Sequence, residues 1–457
     1  VSYQSFIERK CQHGNAVGFD PIWMPDFPYD FQQFLIEWAV RQGRAAIFAD
    51  CGMGKTPMQL VWAENVVRKT NKPVLIATPL AVGQQIVAEA ERFGIEAKRS
   101  RDGKMPTNPN IVVTNYEQLH KYDPAMFAGV VCDESSAIKD AKSERKKTVV
   151  EFMRTVKYRL LCTATAAPND CWELGTSSEA LGLLGFRDMI TTFFKQETSK
   201  DQHGWGRTKY RFRGHAEQPF WSWVCSWARS LRKPSDLGFD DARFNLPGLN
   251  EVDIVVHSAK TQPGMLFALP ARDMREERAE RRLNIEERCD KAVEIATSQD
   301  GPCVLWCELN PEGDRLASML DDVVQVKGSM GDDEKEEALI AFSSGQIKRL
   351  VIKPKMGAWG LNWQHCSNTV VFPSHSYEQY YQLVRRFYRF GQQNTVNVTR
   401  IICEGEANIL KNLQRKQRQA SDMFDSIVAH MKDSMSLVKA DYFPDEERIP
   451  SWLLSSK

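Results

Sequence analysis

The apolar run Ala45-Ala46-Ile47-Phe48 leads into Ala49-Asp50-Cys51-Gly52-Met53-Gly54-Lys55-Thr56, and an amphipathic segment from Met58 to Val67 follows. A strand, a glycine-containing loop and a helix start, in that order, are what a nucleoside triphosphate needs. Small glycines free backbone N–H groups to point into the loop, and the helix N-terminus adds partial positive charge, so phosphate oxygens meet several donors together. In such a loop the main chain of Gly52, Met53 and Gly54 forms the cradle, Lys55 reaches the β- and γ-phosphates and Thr56 holds Mg²⁺. The first position of the usual pattern is Ala49 rather than Gly.

A loop of this kind belongs in a parallel sheet covered by helices, and the rest of the chain has that rhythm. Short apolar runs at Ala45–Ala49, Val74–Thr78, Ile111–Thr114, Gly129–Cys132 and Arg159–Thr163 alternate with helical patterns. The alternation stops near Asn169 and resumes with Cys303–Cys307, Val323–Val326, Leu350–Lys353, Thr369–Phe372 and Val396–Ile402. These runs predict two α/β lobes in tandem, residues 31–170 and 301–405. Residues 1–30 are an N-terminal extension, 171–250 a mainly helical inserted lobe rich in aromatic and basic residues, 251–300 a linker with a charged helix, and 406–457 a helical tail. In the tail, Ile409, Leu410 and Leu413, then Phe424, Ile427, Val428 and Met431, fall at helical spacing.

At 457 residues the chain has room for two or three domains with cores of their own. Sixty basic residues against fifty-nine acidic ones give a net charge of +1, so any track for nucleic acid must be local. The 11 cysteines sit mostly within apolar runs and read as reduced, core-filling thiols; Cys303 and Cys307 lack the second ligand pair of a structural zinc site. The N-terminal residues lack the pattern of a signal peptide, and no apolar run approaches the about 18 residues of a membrane span. The expectation is a cytoplasmic protein with no membrane partner.

Two adjacent carboxylates, Asp133 and Glu134, follow the apolar run Val130-Val131-Cys132. Such a pair divides the labour of triphosphate hydrolysis, Asp133 serving Mg²⁺ and Glu134 polarising the attacking water. Thr163-Ala164-Thr165 ends the next apolar run and is suited to sensing a γ-phosphate or capping a turn. Upstream, the amide of Gln32 can both donate and accept, as reading an adenine edge requires. Late in the chain, Arg386 and Arg389 stand three apart and share a helix face, so both can point at one ligand. Glycines in the stretch Gly357 to Gln364, Gly360 among them, permit close approach to a phosphate chain.

In order and spacing these pieces resemble the Swi/Snf-like branch of superfamily II DNA-dependent ATPases, in the compact form carried by bacteriophages and prophages. The resemblance runs through Gln32, Ala49 to Thr56, Thr78-Pro79, Thr114-Asn115-Tyr116, Asp133-Glu134, Thr163-Ala164-Thr165, Gly357 to Gln364, and Gln382 to Gln392. The last matches a Q-x-x-x-R-x-x-R-x-G-Q signature at every fixed position. It implies two RecA-like lobes with ATP and Mg²⁺ between them, Gln382 and Gly360 beside the nucleotide, Arg389 as an arginine finger and Arg386 as its partner. Duplex DNA would cross a shared face, touching Thr78, Asn115 and Tyr116 on the first lobe and Lys353, Trp359 and Asn362 on the second. Ser135-Ser136 and Phe372-Pro373-Ser374-His375 depart from the family pattern.

In the insert, Arg207, Lys209, Arg211 and Arg213 alternate and would share one face of an extended segment, with Arg211 and Arg213 as further DNA contacts. Arg229, Arg232 and Lys233 form a second basic group. Phe220, Trp223, Val224 and Trp227, by contrast, describe a core-facing helix stripe. Three functions fit: a motor on double-stranded DNA, a strand-separating or RNA-directed helicase, and an ATP-gated clamp serving a nuclease or methyltransferase partner.

Overall fold

The computed structural model describes residues 17–200, 206–241, 244–257, 274–357 and 362–442. Strands β1 (Arg44–Ala49), β2 (Val74–Thr78), β3 (Ala97–Arg99), β4 (Ile111–Asn115), β5 (Gly129–Asp133) and β6 (Tyr158–Thr163) pair in parallel in the order β3-β4-β2-β5-β6-β1. Strands β2, β5 and β6 are buried along their whole length, as helices on both faces of a parallel sheet require, and this explains their unbroken apolar sequences. The helix Lys55–Thr70, which follows the phosphate-type loop, buries Met58, Val61 and Trp62 and ends at Asn71 in a left-handed conformation. Arg68 and Lys69 in its last turn complement the helix dipole.

The insert packs onto this first lobe and shares its core. Helices Leu174–Leu181 and Phe186–Phe193 lead into an antiparallel hairpin of β7 (Phe194–Lys200) and β8 (Gly206–Phe212). The helix Glu217–Trp227 then buries Phe220, Trp223, Val224 and Trp227, the expected core-facing stripe. Strand β9 (Ala228–Leu231) returns to pair with β1 and becomes the edge of the first sheet.

The second sheet is also all parallel, in the order β10-β15-β14-β11-β13-β12. Its strands are β10 (Leu249–Val256), β11 (Cys303–Trp306), β12 (Val323–Gln325), β13 (Arg349–Ile352), β14 (Asn368–Val371) and β15 (Val396–Cys403). The second lobe thus begins near residue 249, inside the stretch expected to be insert and linker. At the sheet edge β10 exposes Val252 and Val255, so it lacks the continuous apolar run that marks a central strand. The charged helices of the linker, Met274–Leu283 and Ile285–Thr297, pack on this lobe. Arg281 pairs with Glu406 at 2.6 Å and Arg288 with Glu312 at 2.5 Å, with all four side chains buried. Buried charges persist only when paired, so these bonds hold the helices to the lobe.

A long helix, Ala407–Tyr442, joins the two cores. Ile409 and Leu413 lie in the core of the second lobe, whereas Met423, Phe424, Ile427 and Met431 lie in that of the first. Its two apolar groups therefore serve different lobes. Among the described residues, no helix is long and apolar enough to cross a membrane. The ten described cysteines are free thiols, and Cys303 and Cys307 are buried in the second lobe.

Candidate nucleotide site

Strands β2, β5, β6 and β1 are consecutive neighbours, so their C-terminal ends bring Thr78, Asp133-Glu134, Thr163 and the loop after Ala49 to one rim of the sheet. In open parallel sheets that rim is where ligands bind. The loop turns through Gly52 (φ +89°) and Gly54 (φ +75°), left-handed conformations that would strain any other residue. A side chain at either would also collide with its surroundings: a Cβ at Gly52 would lie 2.8 Å from the Phe390 nitrogen, and one at Gly54 2.2 Å from Gln32 Nε2. Lys55 Nζ rests on the Ala49 carbonyl at 3.1 Å, and Thr56 follows it in the first turn of the helix.

Asp133 is held from three sides. Gln59 Nε2 donates to Oδ1 at 2.7 Å, Thr78 Oγ1 to Oδ2 at 2.9 Å, and the Tyr116 hydroxyl to the main-chain oxygen at 2.6 Å. Burial, then the neighbouring Glu134, push its carboxyl up to about 6, against the opposing pull of Gln59, Lys55 and Thr78. Glu134 adopts φ +50°, rare outside glycine, and its Oε2 accepts from Thr163 Oγ1 at 3.2 Å. Lys55 is raised above its ordinary value: burial opposes its charge, but Cys51, Glu134, Asp133 and Asp50 outweigh it.

From the second lobe, the helix Tyr377–Val384 and the turn after it bring Gln382, Arg386 and Arg389 to the same place. Gln382 Nε2 donates to Glu134 Oε2 at 3.5 Å, a long bond that crosses between lobes. Its Oε1 accepts from Arg386 Nη2 at 3.1 Å. Arg386 is buried, and burial lowers its pKa. Arg389 has a buried Nε without a hydrogen-bond partner, and burial followed by the Arg386 charge brings its pKa down to about 10. A desolvated guanidinium with an unmatched donor is poised for an anion. The loop is clamped from the same side by Arg385, which pairs with Asp50 at 2.7 Å, and by the Tyr381 hydroxyl, which also bonds Asp50. Farther out, Arg101 reaches across to Asp333 and Glu336 at 3.1 and 2.7 Å.

Lys55, Asp133, Glu134, Gln382, Arg386 and Arg389 therefore lie close together where the lobes meet, with Thr56 next to Lys55 in the helix. Gln32 lies nearby in a different posture: its Nε2 donates to the Met53 carbonyl at 2.9 Å and its Oε1 accepts from the Tyr29 nitrogen at 3.0 Å, so the amide latches the loop.

Several expected nucleic-acid contacts are placed otherwise. Thr78 and Tyr116 are buried and orient Asp133, and the Asn115 side chain caps the turn after β4 by accepting from the Gln118 nitrogen. Lys353 is half-buried at the end of β13, and Asn362 is half-buried with an unpartnered Oδ1. Trp359 and Gly360 lie outside the described residues. Gly357, expected near a phosphate, instead gives room for core packing, since a Cβ there would sit 2.6 Å from Ile352 Cδ1. Lys209, Arg211 and Arg213 are exposed together on β8 and the residue after it, although Arg211 pairs with Glu197 at 3.1 Å. The second basic group is engaged internally: Arg229 stacks on Trp38, Arg232 pairs with Asp425, and Lys233 lies 3.5 Å from Asp241.

Sequence reading missed Gln59, Asp50, Tyr381 and Arg385. A signal existed for Gln59, a polar side chain one turn beyond Lys55 within an otherwise apolar helix face.

No family model matches the chain, and no curated protein matches it. Solved structures do. Saccharomyces cerevisiae Dbp5 bound to RNA and ADP BeF3 superposes with a TM-score of 0.53 at 12% identity, over 88% of this chain and 94% of that one. The likeness is one of fold. A Sulfolobus solfataricus SWI2/SNF2 ATPase core in complex with dsDNA is also similar, with a TM-score of 0.42 at 15% identity over 92% of this chain and 98% of that one. By the likeness to Dbp5, the two parallel sheets form a tandem RecA-like pair.

Proposed function

We propose that this protein is an ATP-hydrolysing motor that moves along, or remodels, double-stranded DNA. One observation carries the reading: a carboxylate of the first lobe, Glu134, and the buried guanidinium of Arg386 from the second are joined through Gln382, and the Arg389 guanidinium lies near enough to feel the charges of both. Phosphoryl transfer from a triphosphate needs this division, with loop and metal on one side of the phosphates and mobile positive charge on the other.

In this mechanism Lys55 and the main chain of Gly52 to Thr56 hold the phosphates. Glu134 polarises the attacking water, and Arg386 and Arg389 stabilise the charge that builds on the transferred group. Among the described residues no three His, Cys, Asp or Glu side chains form a metal cage. A magnesium ion here would lean on nucleotide phosphates, with the Thr56 hydroxyl and Asp133 as protein donors, which suits an ion that keeps several waters. Bound Mg²⁺ would neutralise phosphate charge. The choice of duplex DNA rests on the sequence resemblance; the exposed Lys209, Arg211 and Arg213 offer it phosphate contacts.

ATP turnover measured with duplex DNA, single-stranded DNA and RNA tests the reading. Stimulation by duplex DNA above the others, with displacement of a third strand and no unwinding, is the expected result. Stimulation by RNA alone would favour an RNA-directed helicase, and nucleotide binding without turnover a clamp serving a nuclease or methyltransferase.

A further inference from the structure

Three partly exposed aromatic rings from three segments meet beside the phosphate-type loop. Phe244, between the lobes, lies 5.0 Å from Tyr29 and 5.0 Å from Phe390, and Tyr29 lies 6.4 Å from Phe390. Phe390 is 36% exposed, and its main chain packs on Gly52. Tyr29 is fixed to the other flank of the loop, because its nitrogen donates to Gln32, which in turn holds Met53. The rings thus form one packed cluster beside the loop, continued inward by Phe31, with Phe390 at its exposed edge. The amides nearby have partners in the protein: both ends of Gln32 are bonded, Gln33 Nε2 donates to Pro28 at 3.0 Å, and Gln364 Nε2 to Phe390 at 3.3 Å.

We propose that Phe390, backed by Phe244 and Tyr29, holds the nucleobase by stacking, and that the site discriminates little between adenine and guanine. Every base offers a π-face, so aromatic stacking tolerates different bases, whereas edge recognition needs unengaged donors and acceptors. Phe390 immediately follows Arg389, so a base seated on this ring fixes the main chain that carries the finger. This inference rests on the proposal that a triphosphate occupies the loop.

The test uses the full chain and displacement of a fluorescent ATP analogue by ATP, GTP, CTP, UTP and inorganic tripolyphosphate. ATP and GTP are expected to displace it with constants within about threefold of each other, both more tightly than CTP and UTP. Phe390→Ala weakens all four nucleotides about tenfold and leaves tripolyphosphate unchanged, Phe390→Tyr restores binding, and Phe244→Ala has a smaller effect of the same kind. Gln32→Ala, through the loop, weakens ATP and GTP by the same factor. An ATP preference of about tenfold or more over GTP that disappears in Gln32→Ala would overturn the inference, because that is the signature of edge reading. Failure of every triphosphate, tripolyphosphate included, to displace the analogue would overturn the nucleotide-site reading itself.

Discussion

Asp133→Asn should stabilise the metal-free protein while abolishing its turnover. The ionised carboxylate is buried beside Glu134, and its pKa of about 6 stands above the ordinary 3.8. A group whose folded pKa is raised favours folding at low pH, and that advantage is lost as pH rises through the folded value. At pH 8, where Asp133 is ionised in folded and unfolded chains alike, the penalty is about 3 kcal/mol, from roughly two pKa units at 1.36 kcal/mol each. Asparagine removes it. The new amide can be paired, because Gln59 Oε1 is buried without a partner and a flip of Gln59 turns that oxygen toward position 133. The assay is thermal unfolding in EDTA at pH 8 and pH 5. The expected gain is several degrees at pH 8, given about 2–4 °C per kcal/mol for a lobe of this size, and about half as much at pH 5. A gain that does not change with pH, or a loss at pH 8, would refute the reasoning.

Glu134→Gln keeps the size and the Thr163 contact but removes the charge that polarises water; ATP binding, measured by equilibrium displacement, is expected to persist while turnover stops. Ile427→Ala truncates a fully buried side chain where the long C-terminal helix meets the first lobe. A loss of about 2–4 kcal/mol is expected, seen as earlier proteolysis of that helix while the second lobe keeps its protection.

The central strands were legible because a parallel sheet covered on both faces leaves continuous apolar runs, and the chemistry at their ends stood out against that background. Of the edge strands, β9 and β10 were not legible, whereas β12 was, as the run Val323–Val326. In β9 only four residues pair, with Arg229 and Ser230 among them, and β10 carries exposed valines. Thr78 and Tyr116 illustrate a different limit. Their motif positions suggested contact with nucleic acid, but the order β4-β2-β5 places both within reach of Asp133, and their hydroxyls are taken there. Asp50 and Arg385 are 335 positions apart, and only the meeting of the lobes reveals their pair. The C-terminal helix showed two apolar groups in sequence, and nothing in their spacing said that each belongs to a different core.

The account stands on one catalytic centre built from both lobes, and Arg389 is its most direct test. Single-turnover ATP hydrolysis on duplex DNA, run with wild type and Arg389→Ala at saturating nucleotide, is predicted to show a drop of about 10³-fold or more, with affinity for DNA nearly unchanged. Hydrolysis within about tenfold of wild type would contradict the account, because an arginine that completes the phosphate site from the opposite lobe cannot be removed at so small an effect.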